Sequence, residues 1–141
     1  MEVQETIKEI KKQFRLFMNG VVSQSMREKG LDYKLNFGIE VPRIKEIASK
    51  FEKNHEVAQA LWKENIRECK IMAGLLQPVD TFYPDIADIW VEDMCYPEVA
   101  ELTVMNLFQH LLVLRLYNML LFCHFHLNLV YLKNQFSLNL E

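Results

Sequence analysis

The 141-residue chain is predicted to be all-α, a stack of antiparallel helix pairs, and three observations predict it. Apolar residues recur at helical spacing through successive segments. The breaks between segments are short and carry Gly, Pro or Asn. No strand-type alternation interrupts residues 36–76.

The first helix is expected from about Val3 to Phe17, where Val3, Ile7, Ile10, Phe14 and Phe17 repeat along one seam. Lys8, Lys11, Lys12 and Arg15 gather on an adjoining face, which reads as solvated surface or as a rim that contacts phosphate. Asn19-Gly20 ends this helix, and a shorter one through Val21–Lys29 leads to Gly30. Gly38 supplies a backbone conformation that other residues resist, and Pro42 suits a first helical turn. Behind Pro42, Ile44, Ile47, Ala48 and Phe51 form the next stripe. Asn54 is a cap for a helix whose inward face is Val57, Ala58, Leu61 and Trp62. Ile66, Cys69, Ala73 and Leu76 follow in a helix stopped by Gln77-Pro78. A helix near Tyr83–Val91 is expected to bury Ile86, Ile89 and Trp90. Pro97 opens another with Ala100, Thr103, Val104 and Leu107 inward. No sequence repeat of 33–47 residues stands out.

Half of the residues are hydrophobic and a quarter charged, a globular balance, and the net charge of −3 argues against a strongly basic nucleic-acid binder while leaving room for a local basic face. The three cysteines, Cys69, Cys95 and Cys123, are too far apart to read as a disulfide framework or zinc pattern. A reducing, cytoplasmic setting is expected, and the polar start reads as no secretory signal.

Composition changes near residue 108. After Thr103 there is no Gly, Pro, Ala, Asp or Thr, and residues 116–132 hold no Asp, Glu, Lys or Arg. Asn118, His124, His126 and Asn128 would be costly in lipid, so no membrane span is expected. His124 and His126 would share one face of a strand, as surface histidines or as a metal pair without further ligands, and no metal site is assigned. Residues 1–107 are therefore expected to form a helical-repeat domain. Residues 108–141 are expected to form a hydrophobic segment that folds back over the last repeat or pairs with another copy as a homodimer.

Phe37-Gly-Ile-Glu-Val-Pro-Arg-Ile-Lys-Glu-Ile-Ala48, then Ala60-Leu-Trp62 and Arg67-Glu-Cys-Lys70-Ile-Met-Ala73, resemble the AlkD-type DNA alkylation repair family over roughly residues 5–107. The resemblance implies a HEAT-like superhelix of antiparallel helix pairs with a basic concave face for duplex DNA. It also implies hydrolysis of the N-glycosidic bond of cationic alkylpurines such as 3-methyladenine and 7-methylguanine, with neither metal nor cofactor. A charged purine is already a good leaving group, so a carboxylate that stabilises oxocarbenium character and orients water supplies what the reaction needs.

The family pattern of Trp followed four residues later by Asp falls on Cys95–Glu101. Tyr96 stands at the aromatic position and Ala100 at the carboxylate position. Glu98 and Glu101 are the candidate substitutes, with helix-dipole stabilisation behind Pro97 as their other reading. Trp90 with Asp93 is a second aromatic–carboxylate pair, Trp90 doubling as a core anchor. The resemblance makes Arg27, Arg43, Lys45, Arg67 and Lys70 the DNA-backbone contacts, with Arg67 and Lys70 one turn apart on one helix. The family's later repeats are not matched, so a shortened stack with a divergent C-terminal segment is expected. Two functions follow: an alkylpurine DNA N-glycosylase, or a non-catalytic helical-repeat module that binds DNA or protein.

Overall fold

The computed structural model describes residues 2–111. Among them are seven α-helices: α1 (Val3–Phe17), α2 (Gly20–Glu28), α3 (Val41–Ala48), α4 (His55–Trp62), α5 (Arg67–Leu76), α6 (Pro84–Glu92) and α7 (Pro97–Asn106). A 3-10 turn follows at Phe108–His110. Extended pairing among the described residues is confined to one isolated parallel bridge between Leu35 and Ile66.

Local chemistry explains most boundaries. Asn54 Oδ1 accepts the Val57 N–H and caps α4. Pro42, Pro84 and Pro97 occupy first turns, where a missing N–H costs nothing. Asn19 differs from expectation: it is the cap of α2, accepting the Val21 and Val22 N–H groups, while Met18 ends α1. Gly38 has φ +69°, and a Cβ there would stand 2.3 Å from the Asn19 carbonyl oxygen. The same loop accepts the Asn19 N–H on the Phe37 carbonyl at 2.8 Å. Only glycine lets the loop before α3 come this close to the start of α2.

α5 is central, packing against α3, α4 and α7, and α1 packs on α4. α6 joins α4 through Trp62 and Trp90, whose rings stack at 4.1 Å and 2°. Ile7, Ile10 and Phe14 of α1, Ile44 and Ile47 of α3, and the four expected residues of α4 are all buried. Two inward faces are rotated from expectation. Ile89 is 58% exposed, because α6 buries Ala87 and Trp90 and half-buries Ile86, a stripe that excludes the intervening position. On α7, Val99, Ala100 and Thr103 face inward and Val104 faces out. Leu107, Phe108 and Leu111 join the same core, so it continues past residue 107.

A regular spacing underlies these contacts. Phe37 with Glu68, Gln59 with Trp90, Trp62 with Asp93 and Arg67 with Glu98 are each hydrogen-bonded pairs 31 residues apart. Lateral contact between corresponding positions of successive units is what stacked helix pairs produce, and it is consistent with a HEAT-like stack. The expectations for residues 112–141, including the histidine pair and a homodimer through that segment, lie outside the described residues.

Candidate nucleic-acid interface

Tyr96 closes the turn between α6 and α7 and begins α7. Its half-buried ring leans on Tyr33 with centroids 4.9 Å apart, and its hydroxyl oxygen accepts the Asp32 N–H at 2.8 Å. Burial, with Glu98 close by, raises the Tyr33 phenol far above its ordinary titration range, so it stays protonated. Cys95 beside Tyr96 is exposed, and Ala100 one turn on is buried.

Glu98 lies in the first turn of α7 and takes Arg67 in a two-pronged pair, Nε to Oε2 at 2.8 Å and Nη2 to Oε1 at 2.7 Å. The third guanidinium nitrogen donates to the Ile39 carbonyl and to Glu68 Oε1. Glu68 in turn accepts the N–H groups of Phe37 and Ile39. One cation and two carboxylates thus bind α5, α7 and the loop before α3 together. Burial disfavours the guanidinium charge, but hydrogen bonds and charge from Glu98 and Glu68 outweigh it and the Arg67 pKa rises.

This overturns the expected role of Arg67 as a phosphate contact. It is 1% exposed, and every guanidinium nitrogen is turned to an internal partner. Lys70 does not join it in gripping one DNA strand either. Its half-buried amine donates to the Trp62 carbonyl at 2.9 Å and sits 4.4 Å from the Trp62 ring centre. Desolvation lowers its pKa, against the opposing pull of Asp93. The Trp90–Asp93 pairing is redistributed as well: Trp90 stacks in the core, while Asp93 accepts the Trp62 indole N–H at 3.2 Å.

The remaining candidates are on the surface. Arg27 is exposed. Arg43 pairs with Glu46 and lies over the Phe17 ring at 4.7 Å. Lys45 and Lys53 line an open groove of about 450 Å³ at the ends of α3, α5 and α7, together with Phe51, Leu76 and Met105. Glu101 is exposed and makes no hydrogen bond or ion pair among the described residues. The structure therefore brings Tyr96, Glu98 and Arg67 together, leaves Glu101 exposed one turn further along α7 without a contact to them, and leaves Arg27, Arg43 and Lys45 on other helices. Tyr33 and Glu68 were missed. Glu68 carries no readable signal, since its backbone partners lie 29 and 31 residues away.

Charge is divided along the chain. Residues 2–70 hold 14 Lys and Arg against 11 Asp and Glu, whereas residues 71–111 hold seven acidic residues and no Lys or Arg. Among the described residues no group of three or more His, Cys, Asp or Glu is placed to hold a metal, and no helix is long and apolar enough to cross a membrane.

The sequence matches the family described as DNA alkylation repair enzyme over residues 5–115. The chain belongs to that family. The matched span agrees with the AlkD-type resemblance. No curated protein and no solved structure matches the chain.

Proposed function

We propose that this member of the DNA alkylation repair family recognises cationic alkylated purines in duplex DNA, with the α6–α7 turn facing the lesion. The observation that carries the reading is the grouping on the start of α7: a half-buried Tyr96 ring, Glu98 already paired with Arg67, the exposed Glu101 carboxylate one turn on, and no Lys or Arg from 71 to 111. A cationic base is attracted to an aromatic face and to carboxylates. The phosphates fall to exposed cations on the preceding helices, Arg27, Arg43 and Lys45 among them. A cytoplasmic setting suits the free thiols Cys69 and Cys95.

Hydrolysis follows from these groups. The C1′–N bond breaks, its electron pair leaves with the purine and neutralises it, and water adds to C1′ while giving up a proton. Glu98 already compensates Arg67, so Glu101 is the carboxylate with charge to spare for the sugar cation and the water. A second reading, recognition without base release, is favoured by one observation: buried Ala100 holds the position where the family's carboxylate is expected.

Incubation with duplex containing 7-methylguanine separates the two. The glycosylase reading expects base release above the spontaneous rate, falling about 100-fold in Glu101→Gln, within the range for a positioned acid–base group. Release at the spontaneous rate, with tighter binding to methylated than to plain duplex, leaves the recognition module. Equal affinity for both duplexes without release removes lesion recognition altogether.

A further inference from the structure

α4 stands between α1 and α6. Lys11 of α1 pairs with Glu64 just past the end of α4, while Gln59 and Trp62 of α4 meet Trp90 of α6. Each flanking helix turns a stripe of side chains to solvent. On α1 the stripe is Lys8, Lys12 and Arg15, with Leu16 beside it at 68% exposure. It is net basic although Lys12 also reaches Glu9 at 3.5 Å and exposed Glu5 stands one turn before Lys8. On α6 it is Asp85, Ile89 and Glu92, with Tyr83 exposed near its start. Both stripes follow the same i, i+4, i+7 spacing, so each runs about 10 Å along its helix. One is basic, the other acidic, and each carries exposed apolar surface.

We propose that these two faces dock on one another in separate copies of the chain, the α1 edge of one against the α6 edge of the next, head to tail. The partner is a second copy because the chain itself carries both complementary surfaces at matched spacing. Lys8, Lys12 and Arg15 face Asp85 and Glu92, and Leu16 covers Ile89 and Tyr83. Docking in this sense continues the α1–α4–α6 order from one molecule into the next, as one repeat follows another within a stack. The contact is heterologous, so both faces stay available after a first pairing and the assembly grows rather than stopping at a dimer. The inference does not depend on lesion recognition or catalysis.

Sedimentation velocity of the full chain across a concentration series tests it. The mean mass is expected to rise with concentration at about 0.05 M salt, with association weakened about tenfold or more at about 0.5 M as the charges are screened. A paired variant Lys12→Glu/Arg15→Glu and a second, Asp85→Lys/Glu92→Lys, are each expected to be monomeric alone and to associate when mixed, since the intact acidic edge of one meets the intact basic edge of the other. Thermal unfolding checks that both are folded, and Lys12→Gln with Ile89→Gln serve as milder substitutes. A wild-type chain monomeric at every concentration overturns the proposal. So does association indifferent to salt and to these substitutions, or a mixture of the two variants that stays monomeric.

Discussion

Two junctions across the stack are tied by hydrogen bonds between residues 31 apart and use opposite physics. Trp62 and Trp90 meet face to face, with Gln59 and Asp93 taking the two indole N–H groups. Arg67, Glu68 and Glu98 meet as a buried ion cluster that also holds the backbone at Phe37 and Ile39. The indole junction draws on burial and dispersion, which tolerate a change of shape if volume is kept. The ionic junction offsets a large desolvation cost only while every partner is present. Specificity of neighbour and strength of packing are thus assigned to different residues of the same helices.

The comparison is sharpest with truncations and conservative replacements side by side. Trp90→Ala and Arg67→Ala are each expected to cost about 3–5 kcal/mol, one through a cavity and the other by stranding the buried Glu68 carboxylate. The conservative pair separates them. Trp90→Phe is expected to cost about 1.5 kcal/mol. Arg67→Lys loses the two-pronged contact with Glu98 and the Ile39 carbonyl together, and is expected to cost about 3 kcal/mol. Denaturant unfolding measures all four; an Arg67→Lys variant more stable than Trp90→Phe would break the contrast.

The loop that the ionic junction holds supplies the next effect. Gly38→Ala places a methyl against the Asn19 carbonyl and demands a left-handed backbone, so a loss of about 2–3 kcal/mol is expected. Gly30 also has positive φ but open space around it, and Gly30→Ala is expected to cost about 1 kcal/mol. Equal losses at the two positions would mean that the loop moves away from α2 without penalty.

The sequence was legible where a local rule acts. Asn54, Pro42, Pro84 and Pro97 mark starts that the structure keeps, and the stripes of α1, α3 and α4 are the buried faces except at the last turn of α1, where Phe17 is exposed. Ile89 and Val104 were misplaced because α6 and α7 have apolar residues on more than one side, and only neighbours decide which side is covered. Arg67 was misread for a different reason. An arginine on a helix is ordinarily exposed, and the carboxylate that draws this one inside lies 31 residues away. The 31-residue spacing was hidden for the same reason: the positions it links carry complementary residues, Arg67 against Glu98 and Gln59 against Trp90, not similar ones. The turn holding Tyr96 was found because the resemblance pointed to it, while its partner Tyr33 carried no pattern of its own.

The smallest expected effect concerns alkaline pH and separates the two junctions once more. Burial pushes the Cys69 thiol on α5 up to about 12 and raises the Tyr33 phenol beside Tyr96 as well. Both keep their protons in the folded chain at pH values where the unfolded chain begins to lose them. The unfolded state therefore binds fewer protons, and stability is full below about pH 9 and falls as pH climbs toward 12. Each group contributes a slope of at most about 1.4 kcal/mol per pH unit. Lys70 acts in the opposite direction: burial lowers its pKa, so the folded chain loses that proton first and stability gains as pH rises through this interval. Two groups against one leave a net loss. Urea unfolding at a series of pH values from 8 to 11 should show a falling midpoint, and Cys69→Ala should flatten the fall even though it lowers stability at pH 8. A Trp90→Phe variant should keep the wild-type slope, since the amine that titrates beside the stack, Lys70, sits on the Trp62 ring and not on Trp90. A Cys69→Ala profile as steep as the wild type would assign the alkaline loss to some other group.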